Sequence, residues 1–166
     1  MIIAETKRLV LKSFEMRDSS EYHTVISDDA IRKYVPYAST YTFRGTKTLV
    51  YHYCLGDFIN DFYVVIKEKE DDKIVGAIIA TKVASTTLEV CYLTAQSCRG
   101  KGYMKEALTA FKDYIFEETD FLCMHFTIEN ENLASNNLIK SIGAKPIKYL
   151  THSTVWSFKK DLLELL

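Results

Sequence analysis

Prolines are scarce in this chain, two in 166 residues, and nowhere do 18 apolar residues follow one another. The first shortage argues against a disordered or fibrous polymer, the more so because 48% of residues are hydrophobic and 26% charged. The second argues against a membrane-spanning helix. The opening MIIAETKRLVLKS meets charge at Glu5, too early for the apolar stretch of a signal peptide, so a cytoplasmic protein with no membrane partner is expected. There is no excess of one charge either: the net value is -1, where a dedicated nucleic-acid binder shows a basic surplus or stripe, so no nucleic-acid partner is expected. The four cysteines, Cys54, Cys91, Cys98 and Cys123, form no C-x-x-C pair and have no histidine at metal spacing, which predicts free thiols and no metal. What remains is a soluble globule expected to be one domain over residues 1–166.

The periodicity lays out the elements. Arg8 to Ser13 alternates as a first strand, and Ser13 is placed to cap a helix starting near Glu15. The aromatic-rich stretch from Asp28, interrupted by Pro36, reads as a loop that gives way to a helix from about Thr46. Phe62 to Glu68 and Lys73 to Val83 are β-branched runs spaced as an antiparallel hairpin, and Thr87 to Thr94 is a third strand. Met104, Ala107, Leu108, Phe111 and Ile115 then repeat at helical spacing, and Leu122 to Ile128 alternates again. Asn132 suits the start of a helix that Gly143 stops, and two strands, near Pro146 to Leu150 and Thr154 to Phe158, close the chain. That order is a mixed-sheet α/β plan. The apolar tail Leu162 to Leu166 is expected to pack on the body, or on a second subunit; a monomer and a homodimer both remain open.

The chemistry concentrates where the third strand turns into a helix, Tyr92 to Leu108. A helix start exposes unpaired amides and roughly half a positive charge, which suits a phosphate, and Gly100 and Gly102 let that backbone come close. Arg99, Lys101 and Lys105 make the stretch basic, with no acid before Glu106. On glycine spacing alone a plain strand-to-helix turn explains the residues equally well. Both the Walker loop and the dinucleotide pattern G-x-G-x-x-G are absent, since Lys105 stands where the third glycine would, so nucleotide hydrolysis and hydride transfer lose support.

Arg99-Gly100-Lys101-Gly102-Tyr103-Met104 resembles the [QR]-x-x-G-x-[GA] pyrophosphate loop of the GNAT acetyltransferases, with Met104 in place of a small residue. The opening Thr6 to Leu11, the segment Lys73-Ile74-Val75-Gly76, the strand Leu88 to Tyr92 with Cys91 for a usual glycine, and Tyr103 to Leu108 are similar to the RimJ/RimL branch, whose members acetylate ribosomal-protein N-termini. Asn132-Leu133-Ala134-Ser135 with Gly143 resembles the family's pantetheine-side block, although Ser141 holds its lysine position.

The resemblance implies the GNAT fold, a central mixed, mostly antiparallel twisted sheet of about seven strands flanked by helices. It implies acetyl-CoA as co-substrate, bound by Arg99, Gly100, Lys101, Gly102, Tyr103, Met104 and Asn132, and by backbone near Leu93 and Thr94 where two parallel strands part. A main-chain N–H around Leu93 would face the oxyanion. Glu89 is the candidate base, the alternative being an ordinary strand carboxylate. The helix tyrosine that serves many members as acid is Ile139 here, and Ser135 is the candidate hydroxyl in its stead, or else bonds its own helix. Tyr34, Tyr37 and Tyr41 with Asp28 or Asp29 are the candidates for the acceptor pocket, packing being the alternative for the tyrosines; His125 and His152 read as structural. The implied reaction is acetyl transfer to a primary amine, a protein N-terminus or a small amine such as a polyamine or aminoglycoside. The alternative is a non-catalytic acyl-CoA-binding module.

Overall fold

The computed structural model describes residues 1–34 and 41–166. Its strands are β1 (Ile2–Glu5), β2 (Leu9–Ser13), β3 (Asp61–Glu68), β4 (Ile74–Ala84), β5 (Thr87–Thr94), β6 (Cys123–Glu129), β7 (Lys145–Tyr149) and β8 (Ser153–Lys159). The helices are α1 (Ser19–Ile26), α2 (Asp29–Tyr34), α3 (Phe43–Cys54), α4 (Tyr103–Glu118) and α5 (Leu133–Ser141). One sheet of eight strands in the order β1-β2-β3-β4-β5-β6-β8-β7 joins them, antiparallel throughout except for the β5–β6 pair. This is the mixed, mostly antiparallel sheet the sequence implies, with one strand beyond the expected seven.

The extra strand is β1. Thr6 N donates to Leu9 O at 2.9 Å, so the chain reverses just before the expected first strand and pairs Ile2 to Glu5 with Leu9 to Ser13. Ser13 caps no helix, because its hydroxyl accepts from the N-terminal amine at 2.7 Å. A 3-10 turn over Met16–Asp18 leads into α1 instead. The expected loop after Asp28 contains α2, and α3 begins at Phe43, earlier than Thr46, because the Thr42 hydroxyl accepts from Gly45 N at 3.0 Å and caps it there.

β3 is buried on both faces, which explains its unbroken apolar run. On one face Tyr63 stacks on Tyr53 of α3 with centroids 4.9 Å apart; on the other Phe62 meets Phe111 of α4 edge-on at 6.4 Å. Helices α1 and α3 therefore cover one side and α4 the other. The predicted stripe on α4, Met104, Ala107, Leu108, Phe111 and Ile115, is wholly within the core. α5 lies on the α4 side, where Trp156 Nε1 donates to Asn136 Oδ1 at 2.9 Å. The expected packing of the tail on the body is not what the structure shows: β8 ends at Lys159, and Leu162, Leu163 and Leu166 are exposed. Among the described residues no helix is long and apolar enough to cross a membrane.

Candidate active site

β5 and β6 pair through only Thr87↔Cys123, Leu88↔Met124 and Glu89↔His125. Beyond that step β5 stays on β4 as far as Thr94↔Gly76, while β6 stays on β8 as far as Glu129↔Ser153. Each strand keeps its outer partner and loses the inner one, so a gap opens in the middle of the sheet. Backbone groups along it want partners, and an extended ligand can supply them. Leu93 turns its carbonyl toward Gly76 of β4, and Ala95 N donates to Val75 O at 2.8 Å. Strand alternation therefore turns the backbone of Leu93 toward β4, and of the two expected backbone partners it is Thr94 that looks into the gap.

A cavity of about 490 Å³ occupies the gap. β5 contributes Tyr92, Leu93 and Thr94; the turn and first residues of α4 contribute Cys98, Arg99, Gly100, Gly102, Tyr103, Met104 and Lys105. α5 adds Asn132, Ala134, Ser135 and Leu138, and α2 adds Ala30, Ile31 and Tyr34. Nearly all the residues singled out for coenzyme binding thus surround one space. Lys101 is not among them: it points outward, and its carbonyl accepts from Arg8 Nη1 at 2.9 Å.

The turn explains its glycines. Gly100 and Gly102 have φ of +72° and +77°, a region that penalises a Cβ, and Gly102 is the residue from which α4 starts. The first helical bond runs from Glu106 N to Gly102 O at 3.1 Å, so the amides of Tyr103, Met104 and Lys105 precede it at the cavity edge. The local charge is less one-sided than the sequence suggests, because Arg99 Nη2 pairs with Asp28 at the start of α2. That contact also corrects the expectation of Asp28 as an acceptor-pocket carboxylate. Tyr34 does line the cavity; Tyr41 is exposed under the Arg32 guanidinium at 3.9 Å, Asp29 is exposed on α2, and Tyr37 lies outside the described residues.

Three supports escaped sequence reasoning. Arg8 Nε pairs with Glu106 Oε2 at 2.7 Å, Arg8 N and the Thr6 hydroxyl both donate to Glu106 Oε1, and the guanidinium lies 4.2 Å over the Tyr103 ring. Burial pushes Glu106 up, but these donors outweigh it and hold the carboxyl below the usual range. The signal was present as two segments singled out separately, Thr6-Lys7-Arg8 and Tyr103 to Leu108; the fold makes them one joint. Gly76 is the second support, since a Cβ there would stand 2.2 Å from Leu93 O and 3.1 Å from Met104 Cε. The third is Tyr92, whose hydroxyl donates to Ser135 O at 3.1 Å and ties β5 to α5 over the gap. Burial pushes it up to about 12, against a smaller lowering by the Ser135 hydroxyl, which donates to it.

On α5, Asn132 Oδ1 accepts from Ser135 N at 3.2 Å, the helix-start role its sequence position suggested, while Gly143 with φ of +98° makes the stop. The Ser135 hydroxyl lines the cavity and bonds the Tyr92 hydroxyl, while Ile139 is fully buried. Glu89 stands on the opposite face of β5 from Tyr92, in register with Thr81 and Asp61 on one side and His125 on the other. Its Oε1 accepts from the Thr127 hydroxyl at 2.8 Å.

Comparison with known proteins agrees with this geometry. The sequence profile of the GNAT acetyltransferase domain matches residues 8–145. The chain is 29% identical over 141 residues to an uncharacterized N-acetyltransferase, YnaD, of Bacillus subtilis (strain 168), covering 84% of this chain and 81% of that protein. A GNAT-family acetyltransferase from Bacillus anthracis superposes with TM-score 0.83 at 23% identity, over 96% of this chain and 98% of that one. RimL, a ribosomal L7/L12 α-N-protein acetyltransferase in complex with coenzyme A, superposes with TM-score 0.80 at 15% identity, over 97% and 99%. A central sheet that parts beside a glycine-turned helix start, matched by a domain profile over most of its length, places this chain in the GNAT acetyltransferase family as an N-acetyltransferase.

Proposed function

We propose that the protein transfers an acetyl group from acetyl-CoA directly to a primary amine, and that its acceptor is the α-amine of a protein N-terminus. The observation that carries this reading is the parting of β5 from β6 beside the start of α4. The free amides of Tyr103, Met104 and Lys105, with Arg99 at the rim, suit a diphosphate. The gap edge at Thr94 suits the extended, amide-bearing arm, and Asn132 and Ser135 flank it from α5.

Acetyl-CoA supplies the activated carbonyl, so the new C–N bond forms as the C–S bond breaks. The amine must first be neutral. At pH 7 roughly 15% of an α-amine is neutral against about 0.04% of a lysine-type amine, a difference in difficulty that favours an N-terminal acceptor. Glu89, across the gap from the cavity side, takes the departing proton through a water. The Thr94 amide is the donor for charge developing on the carbonyl oxygen. For the sulfur, the Tyr92 proton is committed to Ser135 O, and the Ser135 hydroxyl beside it on the cavity wall is the group that delivers the proton. The similarity to RimL, a ribosomal L7/L12 α-N-protein acetyltransferase, supports an α-amine; a small amine is the second reading.

Thiol release from acetyl-CoA against a panel of N-terminal peptides, polyamines and aminoglycosides tests the proposal. Turnover is expected with peptides, and coenzyme binding without turnover on any amine would leave a non-catalytic binding module. Glu89→Gln is expected to depress turnover below pH 8 with little change in acetyl-CoA affinity; an unchanged pH profile would remove Glu89 from the mechanism.

A further inference from the structure

β4, β5 and β6 are interior strands of the sheet, yet Thr81, Cys91 and Thr127 on the α1/α3 face of those strands are exposed. Among the described residues no helix covers the sheet at that point, and the exposed side chains mark the side of the gap away from α4 and α5. An antiparallel sheet can leave part of one face to water, and here the small side chains of that uncovered stretch make an approach to the gap. Glu89 lies at its inner end, at the last paired step of β5 and β6. One step further the strands no longer share backbone bonds, and there the Thr127 hydroxyl reaches over from β6 to donate to Glu89 Oε1 at 2.8 Å.

We propose that Thr127 is the positioning residue for the base: it fixes the Glu89 carboxylate across the mouth of the gap through Oε1 and leaves Oε2 toward the incoming amine or its water. This rests on the reading of Glu89 as base. An ionised carboxylate only accepts, and a glutamate on an open strand face has three side-chain torsions free to turn it to solvent. Backbone pairing cannot hold it there, because the pairing has ended. The threonine hydroxyl can, since its β-branched stem is stiff on a strand and its proton has one acceptor. The other titratable groups that the register places on this face are Cys91 on the same strand, Cys123, His125 and Glu129 on β6, Lys159 on β8, Lys145 and Lys148 on β7, Asp61 and Tyr63 on β3, and His52 of α3, whose Nε2 is 3.2 Å from Tyr63 Oη. None of these is bonded to Glu89 among the described residues. Thr127 is outside the lining of the coenzyme cavity.

The test compares Thr127→Val, Thr127→Ser and Glu89→Gln by pH profiles of kcat/KM for the acceptor and by calorimetry with acetyl-CoA. Thr127→Val keeps shape and strand preference but removes the donor. It is expected to lower acceptor kcat/KM about tenfold near neutral pH, through kcat rather than KM, with acetyl-CoA affinity unchanged. Thr127→Ser, which restores the hydroxyl without the methyl, is expected to return the rate. If Glu89→Gln lowers kcat while Thr127→Val keeps the parental value, the positioning role is overturned and the base stands. If Thr127→Ser behaves like Thr127→Val, the residue acts through packing and the proposal is overturned. If Glu89→Gln itself leaves the profile unchanged, the reading of Glu89 falls first, and Thr127 with it.

Discussion

Gly76 is the position where one methyl group matters most. A Cβ there would lie 2.2 Å from the carbonyl oxygen of Leu93, a backbone atom with no rotamer to yield. Gly76→Ala must therefore push the end of β5 away from β4 and into the gap. The expected result is weaker acetyl-CoA binding by calorimetry together with a loss of roughly 2 kcal/mol or more in urea denaturation. Unchanged binding would mean that the β5 edge does not hold the coenzyme. Lys67 and Asp18 show a second residue-level constraint, a buried ion pair at 2.7 Å with side chains 6% and 1% exposed. Burial alone would lower Lys67, but the hydrogen bond and charge of Asp18 outweigh it and raise it above its ordinary 10.5. A raised lysine contributes stability that is complete below the unfolded value and fades as pH climbs through the folded one, so the loss belongs to strongly alkaline solution. Asp18→Asn leaves the buried ammonium only the exposed Asp72 carboxylate at 3.5 Å, expected to cost about 3 kcal/mol at pH 7, and it should reduce the alkaline loss of thermal stability. Of these residues the sequence offered Gly76 through its family segment, but the reason for it, a carbonyl from a strand seventeen residues later, exists only once β4 and β5 pair.

Helix α2 works as a strap over the cavity. Its start is held to the phosphate turn by Asp28–Arg99, and its end to the β6–α5 connection by Lys33 Nζ–Glu131 Oε2 at 3.5 Å, while Ala30, Ile31 and Tyr34 roof the space between. The Lys33–Glu131 pair is well exposed on both sides and contributes little. The Asp28 contact matters more, because a diphosphate and the carboxylate compete for one guanidinium. Asp28→Asn keeps the acceptor that serves Ala30 N at 3.1 Å and removes only the charge. Acetyl-CoA affinity is expected to rise several-fold at low ionic strength, with the gain shrinking at 1 M salt; a fall in affinity would show that Asp28 instead aims Arg99 at the ligand. This strap was illegible in the sequence. Six residues carry too little periodicity to separate a helix from an aromatic loop, and nothing local announces that Asp28 meets Arg99. Where the pattern ran longer, as in α4, or alternated strictly, as in β6, the elements were read within a residue or two. Helix α3 was placed too late because Thr42, the residue that caps it, is indistinguishable in sequence from the other loop threonines.

For the molecule as a whole, the parting of two interior strands makes one opening with two sides, the coenzyme cavity toward α4 and α5 and the Glu89 floor toward α1 and α3. The sequence carried the phosphate turn, the β5 strand and the α5 cap as separate signals, because each is local. That they converge on one cavity depends on strand order, in particular β8 lying between β6 and β7, which no spacing encodes. On the proposed function, the two access sides let donor and acceptor occupy the protein together, so that acetyl passes between them without a stop on an enzyme thiol. The cysteines nearest the path are Cys91 on the floor and Cys98 in the cavity wall. Crowding by the surrounding protein, with a smaller push from the Glu89 charge, holds Cys91 above its ordinary value although its surface is exposed, so little of the thiolate that attacks a thioester is present at pH 7. Initial-rate lines at varied acetyl-CoA and acceptor should therefore intersect, and Cys91→Ser and Cys98→Ser should each keep turnover within about threefold. Parallel lines, with acetyl retained on the protein after gel filtration and lost in Cys91→Ser, would place a covalent stop on the path and overturn direct transfer.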